Sequence, residues 1–135
     1  MLARARSNQA KSGADNISFI EANIKSIPLE DGIADVIISN CVINLVPDSD
    51  KPAVFAEMAR LLKHGGRLAI SDILARKTLS KDLRQSVALY VGCVAGASLK
   101  EEYERWLKES GFSGKYVEGV RHFELMSDRH HDCRR

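Results

Sequence analysis

The stretch IADVIISN at residues 33–40, followed by VFAEMARLLKHGGRLAISDIL at 54–74, constrains the fold of this chain most. Val36, Ile37 and Ile38 are consecutive and β-branched, the pattern of a strand covered on both faces. Pro47 and the PDSDKP run interrupt it. Residues 52–63 then predict a helix, because Val54, Met58, Leu61 and Leu62 fall on one apolar stripe. Pro52 suits the start of that helix and Asp50 its positive end. Lys63 and His64 suit its negative end, with Gly65-Gly66 as the stop. RLAISDIL, residues 67–74, reads as a second, aliphatic strand. A strand, a helix and a strand in this succession favour parallel pairing through a right-handed crossover. In such sheets ligands bind outside the carboxyl ends of the strands.

The flanking segments extend the alternation. MLARARSNQAKSG is basic and free of acids, a feature shared with mitochondrial presequences; the reading adopted is a short surface helix with Leu2 and Ala5 on one side and Gly13 as its stop. ISFIE, residues 17–21, reads as a short strand, and ANIKSIPLEDG as a polar loop turning at Pro28 and Asp31-Gly32. A helix is expected from about Ser80, then a glycine-interrupted turn from Gly92 to Gly96. Ser98 to Glu101 reads as a capping box opening a helix with Leu99, Tyr103, Trp106 and Leu107 inward. Glu101 with Arg105, and Glu104 with Lys108, are spaced to pair on its wet face, and Gly111 closes it. KYVEGVRHFELM is a late strand or hairpin. The expected division is one domain over 1–127 and a polar tail over 128–135.

A chain of 135 residues with 44% hydrophobic and 28% charged residues has the make-up of one globular domain. A net charge of +2 calls for neither nucleic acid nor an anionic membrane as partner, and no apolar stretch is long enough to cross a bilayer. Cys41, Cys93 and Cys133 are odd in number, which points to thiols in a reducing, cytoplasmic compartment. A lone cysteine is by default a small core hydrophobe. His130, His131 and Cys133 fall short of four metal ligands at a fitting spacing, so the tail reads as solvated.

Polar residues gather where the alternation puts a site. Ser39, Asn40 and Cys41 stand at the carboxyl end of one strand, Ser71 and Asp72 toward the end of the next, and Asn23 after the first. EDGIADVIISNCVINLVPD, VFAEMARLLKHGGRLAISDIL and LYVGCVAGA together resemble the S-adenosylmethionine-dependent arsenite methyltransferases, from about Leu2 to Phe112. These are class I methyltransferases with a Rossmann-like α/β sheet. The strand–helix–strand block is generic to that class. SNCVINL together with GCVAGA is specific to the arsenic branch.

The resemblance implies that Cys41 and Cys93 bind trivalent arsenic, with arsenite or methylarsenite as substrate and an external thiol as reductant. Soft thiolates suit a thiophilic centre better than oxygen ligands do. Two of them leave the arsenic lone pair open toward a sulfonium methyl, and the departing thioether is neutral and needs no general acid. The protein's part is then mainly alignment. The resemblance makes Asn40, with Ser39 beside it, a contact for the cofactor's methionine end, and puts Asn23 and Ile24 at the adenine. The family often has acid-Ile-acid there, whereas this chain has Asn23-Ile24-Lys25.

The chain contains no G-x-G-x-G cofactor turn. The resemblance puts that turn and a further arsenic-binding cysteine upstream of the region matching Met1. The expected fold is therefore a partial sheet lacking the first two strands, with residues 17–21 as the family's third strand and 34–39 as its fourth. The open apolar edge of that fourth strand predicts an unstable, rearranged or oligomeric product when the chain is made alone. Two other functions fit the same residues: a generic class I small-molecule methyltransferase, and a non-catalytic arsenic(III)-binding or partner-docking fragment.

Overall fold

The computed structural model describes residues 1–78, 94–116 and 123–126. Helix α1, Leu2–Ser12, ends at Gly13 in the left-handed conformation, as the sequence predicts. It buries no residue, and Leu2, Ala5 and Ile20 line one open depression. Gln9 Nε2 donates to the carbonyls of Ala14 at 3.0 Å and Ile17 at 2.7 Å, tying down the chain that leaves the helix.

Residues 17–21, expected as a strand, are not one: the segment runs without regular structure, and Ile17 and Ile20 are exposed. A strand is held by ladder hydrogen bonds to a neighbour. Among the described residues no strand lies beside this segment. β propensity alone does not order it.

Strand β1, Ala34–Asn40, pairs in parallel with β2, Leu62–Ser71, and helix α2, Lys51–Leu61, makes the crossover. The predicted apolar stripe of α2 is buried throughout. The helix nevertheless stops before the double glycine, because Leu62 is already extended and opens β2. Gly65-Gly66 sits inside β2, where the register jumps from Ala34↔Leu62 to Val36↔Arg67. Gly65 there has φ 78°, and a Cβ on Gly66 would lie 2.9 Å from the Lys63 carbonyl oxygen. The two glycines thus make a bulge rather than a helix cap.

Helix α3, Lys100–Glu109, packs with α2, and Tyr103, Trp106 and Leu107 are buried in the same cluster as Ile43, Val54, Phe55, Leu68 and Ile70. The Phe55 ring meets Tyr103 edge-on with centroids 5.3 Å apart and lies 5.8 Å from Trp106. The face of β1 carrying Ile37 and Ser39 turns toward this core. The face carrying Val36 and Ile38 does not, and Ile38 is 79% exposed. The expectation of a strand covered on both faces is corrected accordingly: the core formed with α2 and α3 lies on one side.

The cap of α3 also differs from expectation. Its N-cap is Leu99, one residue later than predicted, and the Glu102 carboxylate reaches back to the Leu99 N–H at 2.8 Å. Ser98 is buried for another purpose. On the wet face Lys100 and Glu104 form an ion pair at 3.6 Å. Strands β3, Ser113–Tyr116, and β4, Phe123–Met126, form the expected antiparallel hairpin, with β4 alongside β2. Among the described residues no helix is long and apolar enough to cross a membrane. The helix expected from Ser80 and the tail at 128–135 lie outside the described residues.

Candidate functional site at the carboxyl ends of β1 and β2

Ser39 pairs with Ile70, and Asn40 with Ser71, at the last rungs of the parallel ladder. The next residue continues the pairing by one bond: Cys41 N–H donates to the Ser71 carbonyl at 2.9 Å. Its backbone then turns left-handed, at φ 54°, the one non-glycine residue to do so among the described residues. For a residue with a Cβ that conformation costs about 1–2 kcal/mol. Such strain persists where its surroundings over-determine it, and it concentrates at functional sites. Here the corner swings the chain out of the sheet into a short 3-10 turn, Ile43–Leu45, and leaves the Cys41 side chain exposed.

The turn is fastened by its own buried polar group. Asn44 is 1% exposed; its Nδ2 donates to the Ile73 carbonyl at 2.7 Å, just past β2. The Tyr103 hydroxyl reaches both Asn44 Oδ1 at 3.3 Å and Asp72 Oδ2 at 3.2 Å. Burial and the adjacent Asp72 carboxylate push the Tyr103 hydroxyl well up, which keeps it a donor. Burial likewise pushes the Asp72 carboxyl up, partly offset by the Tyr103 hydrogen bond. Asp72 Oδ1 and Ser39 Oγ are both buried without a hydrogen-bond partner. Buried polar atoms are nearly always satisfied, so two orphans at one end of a sheet mark a place for a ligand or water.

Ser39 and Asn40 also line a groove of about 350 Å³ with Ile24, Ile37, Ile38 and Val42. Three of the four residues named from the sequence as cofactor contacts, Ile24, Ser39 and Asn40, therefore come together. Asn23 does not line the groove; its Oδ1 accepts from the Lys25 N–H at 3.0 Å, closing a local turn. An apolar wall, an amide at its end and an orphaned Ser39 Oγ fit a ligand with one flat apolar part and one polar part.

The loop beside the groove is locked onto α2. Arg60 donates to the carbonyls of Ile27 and Leu29 and to the Asp31 and Glu57 carboxylates. Glu57 accepts the Ile27 N–H at 2.6 Å. The Arg60 guanidinium, with that N–H, holds the Glu57 carboxyl at about 2. Lys25 Nζ bonds the Asp50 carboxylate at 2.7 Å and lowers its pKa.

Sequence reasoning missed Lys51, which is fully buried at the start of α2. Its signal was there: a cation in the first turn of a helix opposes the dipole and calls for another reason to be present. Cys93, the second thiol named from the sequence, lies outside the described residues; the segment it leads into begins at Val94.

The family model described as a methyltransferase domain matches residues 1–111. The arsenite methyltransferase of Halobacterium salinarum is 40% identical over 112 residues, which is 83% of this chain and 28% of that protein. The arsenite methyltransferase of Aquipseudomonas alcaligenes is 44% identical over 104 residues, 75% of this chain and 30% of that one. Among solved structures, an arsenic(III) S-adenosylmethionine methyltransferase from Chlamydomonas reinhardtii is 31% identical with a TM-score of 0.70, covering 87% of this chain and 44% of that one. The chain thus spans less than a third of the length of these two arsenite methyltransferases.

Proposed function

Because this chain belongs to the methyltransferase-domain family and carries a partial Rossmann-like α/β fold, we propose that it is the arsenic-binding portion of an S-adenosylmethionine-dependent arsenite methyltransferase. The observation that carries the reading is Cys41, held exposed on a strained corner at the carboxyl end of β1. Ladder ends are where α/β sheets bind ligands, and a thiolate there is a soft ligand for arsenite or methylarsenite. Cys93 supplies the second thiolate. Two thiolates leave the arsenic lone pair uncommitted, and an external thiol serves as reductant in a cytoplasmic, reducing setting.

Ile24, Ser39 and Asn40 would hold S-adenosylmethionine along the groove, Ile24 against the apolar portion and Asn40 with Ser39 toward the methionine portion. When bound, the cofactor supplies a methyl group on a positively charged sulfur. The chain's own contribution is orientation: the Ser71 carbonyl and the Asn44 amide fix the backbone on both sides of Cys41.

Calorimetric titration of the purified chain with arsenite tests this. One arsenic per chain, with binding lost in both Cys41→Ser and Cys93→Ser, is expected. Binding unaffected by either substitution would sink the arsenic reading and leave a generic small-molecule methyltransferase. A parallel titration with S-adenosylmethionine reports whether the groove holds the donor.

A further inference from the structure

Tyr103 packs as an aromatic ring: it is 1% exposed, with Phe55 edge-on at 5.3 Å and Trp106 at 5.7 Å. A phenylalanine would serve that packing without the cost of burying a hydroxyl. The hydroxyl keeps its proton, because burial and the Asp72 carboxylate disfavour the ionised form. It has one proton to give and two acceptors in reach, Asp72 Oδ2 at 3.2 Å and Asn44 Oδ1 at 3.3 Å.

Those acceptors lie on the two chain segments that make the Cys41 corner. Asp72 stands between Ser71, whose carbonyl accepts the Cys41 N–H at 2.9 Å, and Ile73, whose carbonyl accepts from Asn44 Nδ2 at 2.7 Å. Asn44 itself lies inside the turn Ile43–Leu45 that follows Cys41. The exit of β1 is thus tied to the exit of β2 at two points, and the Tyr103 hydroxyl reaches both segments from α3. A left-handed backbone at a residue bearing a Cβ persists only where its surroundings hold it, and at Cys41 φ is 54°.

We infer that Tyr103 is a positioning residue: its hydroxyl, acting through Asn44, holds the corner at Cys41 in the left-handed conformation that presents the thiol. The inference rests on the reading of Cys41 as an arsenic ligand. Where only a fraction of molecules has the competent corner, apparent affinity falls by that fraction. The role is separable from folding, because the ring supplies the apolar packing and the hydroxyl only the polar tie.

The test compares the parent chain with Tyr103→Phe and with Trp106→Phe, which trims the aromatic cluster and leaves the hydroxyl. Amide hydrogen exchange is followed by mass spectrometry in peptides covering residues 41–46, and arsenite affinity by calorimetry. Tyr103→Phe should speed exchange at 41–46 about fivefold to tenfold relative to β1 and β2, and weaken arsenite binding about threefold to tenfold. Trp106→Phe should raise exchange evenly and spare the relative protection of the corner. A Tyr103→Phe chain whose exchange rises no more at 41–46 than elsewhere overturns the positioning role, since a hydroxyl of merely structural value would do the same. An unchanged arsenite affinity, beside a parent that outbinds Cys41→Ser, overturns it also. A parent that binds arsenite no better than Cys41→Ser defeats the reading of Cys41 as a ligand, and the positioning role with it. Should Tyr103→Phe fail to fold, the parent decides: amides at 41–46 protected as well as those of α3 support the inference, and amides there exchanging as in an unstructured chain overturn it.

Discussion

Replacing Gly96 by alanine places a methyl carbon 1.8 Å from the Asn44 carbonyl oxygen and 2.9 Å from its carbonyl carbon. Ordinary contact begins at 3.4 Å, so one backbone must retreat by more than an ångström. Neither yields readily. The Asn44 side chain is held by the Ile73 carbonyl and the Tyr103 hydroxyl, and the Gly96 carbonyl by Lys51. Overpacking of this kind costs about 1–3 kcal/mol, and a clash of backbone with backbone belongs at the upper end. With an unfolding entropy of about 2.1 cal/mol/K per residue, 3 kcal/mol over the 135 residues lowers the melting temperature by about 10 °C. Gly111 is the control. It has φ 84° and nothing within 4 Å of a built Cβ, so alanine there meets only the left-handed penalty of about 1–2 kcal/mol. Thermal melts followed by circular dichroism decide the matter. If Gly96→Ala melts no lower than Gly111→Ala, the close approach of the two segments is refuted.

Further outcomes follow from other contacts. Glu57 titrates at about 2 in the folded chain against an ordinary 4.5, so its contribution is full above pH 4.5 and is lost as pH falls through about 2. That gap corresponds to about 3 kcal/mol. Solvent at Arg60, 31% exposed, reduces it to about 1–2 kcal/mol. Glu57→Gln should therefore flatten the acid limb of stability against pH, measured by urea unfolding at stepped pH; an unchanged limb would count against the Arg60–Glu57 lock. Ile38→Lys, on the bare face of β1, should shift the chain toward monomer in sedimentation at little loss of stability; an unaltered mass distribution would show that this face does not drive association. Phe55→Ala, which empties the ring cluster with Tyr103 and Trp106, should destabilise by about 3–5 kcal/mol in denaturant titration.

What the sequence by itself determined is local or motif-borne. The stripe Val54, Met58, Leu61 and Leu62 specified α2 because helical period and burial coincide there. The strand–helix–strand succession specified a parallel pair, and Gly13 the end of α1. The SNCVINL run put polar residues and a thiol at the carboxyl end of a strand, and Ser39, Asn40 and Cys41 do stand at the end of β1.

Only the tertiary structure decided the rest. Residues 17–21 have strand propensity but lack a ladder partner among the described residues, and pairing is not a local property. Val36 and Ile38 read as buried from their chemistry, yet burial depends on which side the helices take. Ser98 has the composition of a cap but serves as an acceptor for Lys51, whose own burial depends on a carbonyl far along the chain. The left-handed turn at Cys41 is imposed from outside by the Ser71 and Ile73 carbonyls that grip its neighbourhood. Propensity and periodicity act over a few residues, so they write the elements. Burial, strain and polar satisfaction act across the fold, so they write the site.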